Sequence, residues 1–190
     1  MSMIIDGTSG ATFPDSSTQA KAGLVAGGTI ASGTITALNT NGITFPASQS
    51  ASSDANTLDD YEEGTWTPTI SSSAAPTVTY LVQTAIYTKI GRQVTVYGRV
   101  GLTAKSGGSG SAYIGGLPFT ATSVAGAVNI GYVSSLTLPA GLTYPSLYIN
   151  AADGNKLFFA GSGSGVAAQE IPIANIGSSI DLSFSCTYFV

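Results

Sequence analysis

The sequence predicts an all-β protein, an extended N-terminal arm followed by an antiparallel, jelly-roll-like β-sandwich knob. Three observations predict it. Beyond Thr67, apolar and polar residues alternate in short runs separated by Gly, Asn and Asp turn signals, the period-two pattern of half-buried strands. Residues 1–57 hold only four charges (Asp6, Asp15, Lys21, Asp54) and two aromatic rings (Phe13, Phe45). Their sparse apolar residues cannot offset an ordering cost of about 1–2 kcal/mol per residue without help. Finally, Gly10–Asp15 (GATFPD) and Gly42–Ala47 (GITFPA) are weak copies of one another, so the arm repeats a geometry. The expected organisation is an arm over 1–57, an acidic-aromatic collar over 58–66 and a knob over 67–190.

In chain order, the glycines of the arm argue against a long helix, each interior Gly costing about 1 kcal/mol against Ala. A short helical piece over 17–25 is left open, and pairing with copies of the same chain is the expected source of order elsewhere. The collar, Leu58-Asp59-Asp60-Tyr61-Glu62-Glu63-Gly64-Thr65-Trp66, alternates acids with apolar rings. Four acids there offer either oxygen ligands for a divalent cation, at a spacing that matches no EF-hand loop, or a hydrogen-bonded ring meeting amides and cations. Leu58, Asp59, Tyr61 and Trp66 are expected at a subunit interface.

The knob begins with strands over 78–82 and 86–90. Gly91 turns the latter into the strand 93–102, which places Val94, Val96, Val100 and Leu102 on one face and Gln93, Thr95, Tyr97 and Arg99 on the other. Strands follow over 112–114 and over 127–138, the latter with an irregularity at Gly131. A hairpin joins 147–150 to 156–159 through Asp153-Gly154, read as a tight turn with positive φ, and 180–190 closes the chain. The segments 106–110 and 161–165 read as tip loops.

Composition narrows the chemistry. Charged residues are 8% of the 190, against roughly 25% in an ordinary soluble domain. Ser and Thr number 48, so the polar surface is hydroxyl and amide rather than ionic. A net charge of −4 without any run of Lys or Arg speaks against nucleic acid. No apolar run approaches the ~20 residues of a membrane span, and Asp6 interrupts Met1–Ile5 before a signal-like region forms. Neither membrane insertion nor a cleaved signal is expected. Cys186 stands alone within a strand-like run and reads as a buried, inert thiol.

An enzyme is not expected either. Histidine is absent, which removes the commonest general base and metal ligand. Beyond Thr67 the only acids are Asp153, Glu170 and Asp181, a poor source for the paired carboxylates of glycoside hydrolysis. Catalytic and metal-ligating residues are therefore none, and no cofactor is expected. Sugar binding is the candidate activity of the knob, with Tyr144 and Tyr148 as stacking rings and Asn150 as a polar contact.

Three stretches, in this order, resemble a domain that recurs in bacteriophage tail-fibre and virion appendage proteins: Asn56–Pro68 (NTLDDYEEGTWTP), Tyr87–Val94 (YTKIGRQV) and Gly115–Phe119 (GGLPF). Upstream, Gly10–Gln19 (GATFPDSSTQ) is similar to the Phe-Pro-Asp…Thr-Gln element of phage fibre shafts. The second copy carries Ala47 where Asp is expected, and Cys186 stands where such proteins often carry Gly. The resemblance implies a non-enzymatic virion protein assembled in the host bacterial cytoplasm. It implies a homotrimer attached to other virion proteins through residues 1–57, with a β knob contributing to host attachment and a bacterial surface glycan as its candidate ligand. A tail fibre or tail appendage is the leading expectation, and a head fibre or capsid decoration protein is the alternative.

Overall fold

The computed structural model describes residues 4–6, 10–12, 18–19, 45, 53, 57–58, 60–122, 127–150 and 153–190. The chain divides into two compact units, Met1–Ile43 and Thr44–Val190. In the first, β1 (Ile4–Asp6), β2 (Gly10–Thr12) and β3 (Thr18–Gln19) form an antiparallel sheet in the order β1-β2-β3. These short strands find partners within the same chain, where the sequence pointed to pairing between copies. Thr18–Gln19, inside the possible helical piece, is strand.

The second unit is all-β and antiparallel. Its larger sheet has the order β4-β6-β7-β13-β9. The strands are β4 (Tyr61–Trp66), β6 (Thr77–Ile90), β7 (Gln93–Ser106), β13 (Ile176–Phe189) and β9 (Ala127–Leu136). Its smaller sheet runs β10-β11-β8-β5, from β10 (Tyr144–Ile149), β11 (Lys156–Gly163), β8 (Ser109–Gly115) and β5 (Thr69–Ala74). β12 (Val166–Glu170) pairs with β11 beyond the end of β8. A short 3-10 turn, Ile173–Asn175, leads into β13.

Both sheets contribute to one core. Val94, Val96, Val100 and Leu102 of β7 and Leu182, Phe184 and Cys186 of β13 face Ile70, Ile114, Leu147, Ile149, Leu157 and Phe159 of the smaller sheet, all of them buried. The alternation read over 93–102 therefore points the way the sequence required. Gly91, with φ +54, makes the turn between β6 and β7, a conformation that costs glycine nothing.

Gly131 is the extra residue of a bulge. Ser183 pairs with Tyr132 and Phe184 with Ile130, so Gly131 is skipped.

Other expectations change. The strands over 78–82 and 86–90 are one strand, β6, with a bulge near Leu81. The acidic run is not set apart from the β unit, because β4 is the edge strand of the larger sheet and pairs with β6 from Tyr61↔Ile90 to Trp66↔Ala85. Gly154 is absent from the positive-φ residues, so Asp153-Gly154 is not the tight turn expected. Its glycine is needed for close approach instead: a Cβ there would lie 2.4 Å from the Ala121 carbonyl oxygen, and the Gly154 carbonyl accepts the Ala121 N–H at 2.6 Å. Ala152, the other flank of that loop, lies outside the described residues. Of the segment 161–165, Gly161–Gly163 belongs to β11 and only Ser164–Gly165 turns.

Candidate functional site

The three family-like stretches meet in space. On the inward side of β4, Asp60 and Glu62 share a face with Trp66, and their neighbours on β6 are Tyr87 and Lys89. The Lys89 ammonium is paired with the Asp60 carboxylate, and both side chains are almost fully buried. The Tyr87 hydroxyl donates to Glu62 Oε1 at 2.5 Å, its ring lying across Gly64, where a Cβ would come within 2.8 Å of it. Phe119, the last residue of the Gly-Leu-Pro-Phe corner, packs edge-on against Tyr87 with ring centroids 5.4 Å apart, and Lys89 Nζ sits 5.7 Å from its centre. What the motifs encode is a clasp that closes one end of the core.

This clasp accounts for the described acids of the collar. Asp60 pairs with Lys89 and Glu62 accepts from Tyr87, while Glu63, on the outward face, accepts from the Tyr61 hydroxyl at 2.7 Å. The hydrogen bond to Glu62, with burial behind it, holds the Tyr87 phenol up at about 12, and the bond to Glu63 raises that of Tyr61. No group of three or more His, Cys, Asp or Glu side chains is arranged for a metal ion among the described residues.

Of the residues expected at a subunit interface, those described do not all lie on the surface. Leu58 is exposed and Tyr61 partly so, its ring 6.2 Å from that of Phe45. Asp59 lies outside the described residues. Trp66 is a core residue, 8% exposed, packed edge-on against Phe184 at 6.2 Å. Strand alternation turns it inward, into the core of its own chain.

Tyr144 and Tyr148 do share a face. With Ser146 between them they line the outer side of β10, while Leu147 and Ile149 point into the core. Tyr144 is 69% exposed. Tyr148 is more enclosed, its ring against Phe158 at 5.8 Å and its hydroxyl donating to the Glu170 carboxylate. Desolvation first, and then that bond, push the Tyr148 phenol up to about 12. Tyr148, Ser146, Ala160, Ala168, Gln169 and Glu170 line an open groove of about 270 Å³. Asn150 follows β10, and its carbonyl accepts the Asp153 N–H at 2.9 Å, so it is tied into the turn. Glu170, at the end of β12, is the groove residue that sequence reasoning missed, because a short Val-Ala-Ala-Gln-Glu run carries little strand signal.

The remaining acids of the knob are engaged as well. Asp153 pairs with Lys156 at 2.8 Å, and Asp181 accepts two bonds from Arg99, at 3.0 and 2.7 Å. The guanidinium holds the Asp181 carboxyl below its ordinary value. Asp181 lies within β13, which starts four residues earlier than expected. Cys186 is buried and burial pushes its thiol up to about 12, as fits an inert core residue.

A second surface was not anticipated. The outer face of the larger sheet displays Tyr61, Ile86, Ile90, Tyr97, Tyr132 and Phe189 as partly exposed hydrophobic side chains. A groove of about 520 Å³ runs over Ile86, Tyr97, Arg99 and Ser183. Its signal was present in the alternation of β7, where Tyr97 and Arg99 fall opposite the core residues.

No protein-family model matches the chain, and no characterised protein matches it in sequence. Its fold is similar to that in the crystal structure of the Dettilon tailspike protein (gp208), with a TM-score of 0.54 and 18% identity. The match covers 68% of this chain and 24% of the tailspike, so the matched part spans about a quarter of that protein's length.

Proposed function

We propose that this chain is a non-enzymatic structural protein of a bacteriophage particle, a tail fibre or related tail appendage that contributes to host attachment. In this reading the chain is a homotrimer, residues 1–57 bind other virion proteins, and a jelly-roll-like knob is presented outward. The observation that carries it is the likeness of the fold, over 68% of the chain, to that of a tailspike, reached independently of the family-like motifs. Those motifs support the same reading by forming a structural clasp rather than a catalytic group.

Host contact falls to the outer face of the smaller sheet, where an exposed ring, Tyr144, stands beside a groove with one aromatic wall and carboxylate, amide and hydroxyl groups. That chemistry suits a saccharide: rings stack on sugar faces while the polar groups meet sugar hydroxyls. Adsorption of the purified full chain to host cells tests it. Tyr144→Ala should weaken adsorption several-fold, since an aromatic contact contributes on the order of 1 kcal/mol, and Glu63→Gln, an exposed collar position away from this face, should not. No adsorption by the unmodified protein would remove the attachment role.

A further inference from the structure

We propose that the outer face of the larger sheet is the surface through which three copies of this chain assemble, the three sheets closing as a triangular prism with β7 nearest the axis. The proposal rests on the homotrimeric reading and says which surface makes the trimer.

The first support is exposure where a sheet should be covered. β7 is the central strand of the five, yet Tyr97 on its outer side is 57% exposed. Ile86 and Tyr132, on rows crossing the same face, are 53% and 54% exposed. Between them lie Thr84, Thr95, Ser183, Ser185 and Thr187, short side chains that let another surface approach closely. The face carries one central ion pair, Arg99 with Asp181, already neutral in a bidentate geometry. The other carboxylate on this side, Glu63, lies on the edge strand β4, at the rim of the face rather than at its centre. An apolar, charge-poor face of this kind marks an interaction surface.

The second support is geometry. Five strands about 4.8 Å apart make a face about 19 Å wide, and rows from Tyr61–Phe189 to Asp181–Ser134 extend it about 30 Å along the strands. The footprint is about 600 Å² before side-chain relief is counted, the scale of the ~800 Å² per partner in a stable interface. Three faces about 19 Å wide, closed edge to edge, stand about 5.5 Å from their common axis, which is close to half the ~10 Å separation of packed sheets. Side chains of ordinary size therefore fill the prism, and Tyr97 lies where the three copies converge.

The test uses the full chain. Light scattering should give about three times 19.0 kDa for the unmodified protein. The variant Ile86→Lys/Tyr97→Lys should run as a monomer with unchanged β-type circular dichroism, whereas Tyr144→Ala should remain trimeric. If the charged variant fails to fold, Tyr97→Cys serves instead. A short bis-maleimide should join two chains through residue 97 but not through Tyr144→Cys, and Cys186 is buried out of reach. A trimer that survives both lysines, or that is not linked through residue 97, overturns the face and leaves the homotrimer standing. A monomer or dimer for the unmodified protein overturns both.

Discussion

Replacing Lys89 by Met tests whether the motif cluster is a structural clasp. Met keeps most of the side chain's volume against Phe119 but removes the ammonium that neutralises Asp60. Both partners are almost fully withdrawn from water, with side-chain exposures of 6% and 8%. Removing one member of a buried pair costs about 3–5 kcal/mol, because the other charge is left without compensation. Loss of the ammonium over the Phe119 ring adds about 0.5–1 kcal/mol. With a urea slope of ~2 kcal/mol/M, the unfolding midpoint should fall by about 1.8–3 M. It should be followed by circular dichroism at one fixed protein concentration, since assembly would couple to folding. The double variant Asp60→Asn/Lys89→Met leaves no buried charge and should recover about half of the loss or more, giving a coupling energy of at least ~1.5 kcal/mol. A single variant within ~1 kcal/mol of the parent, or a double variant no more stable than Lys89→Met, would show that the pair does not hold the clasp.

Two further outcomes follow from the same structure. A chain starting at Leu58 should retain β-type circular dichroism, whereas one starting at Thr67 should not, because it loses the edge strand, Trp66 from the core and the partner of Lys89; a stably folded 67–190 fragment would contradict the place given to β4. In alkali, the phenols of Tyr87 and Tyr148 are raised from 10.0 to about 12 by folding, so their contribution is whole below about pH 10 and is lost as pH rises towards about 12. Burial of Cys186 acts in the same direction. The urea midpoint should therefore drop between about pH 9 and about pH 11.5, and Tyr87→Phe/Tyr148→Phe should drop less; equal drops would mean that the bonds to Glu62 and Glu170 are not made in solution.

Much of the fold was legible because strand alternation and burial coincide in its centre. β7 and β13 read plainly, and Gly131 announced its bulge by interrupting an apolar run. The edges were harder. β4 carries Glu62 and Glu63, charges common on edge strands, and these drew attention to a collar instead of a strand. β5 is Thr-Ile-Ser-Ser-Ser-Ala, in which only Ile70 signals a core face, although Ser72 is buried too. Trp66 looked like an interface residue because its neighbours are acidic, but its parity in β4 sends it inward. Asp153-Gly154 carried a genuine turn signal, yet the glycine answers a tertiary demand, the approach of Ala121, that no local pattern contains. Of the candidate site, the pairing of Tyr144 with Tyr148 followed from spacing, whereas Glu170 could be found only once β12 was seen beside β11.

The central claim is that the chain is a trimeric part of a phage tail, and a density map of the intact particle that carries it tests this most directly. Three-fold density for the β unit on the tail, with the knob directed outward, is the expected result. Density for the chain on the head, or its absence from the particle, would contradict it.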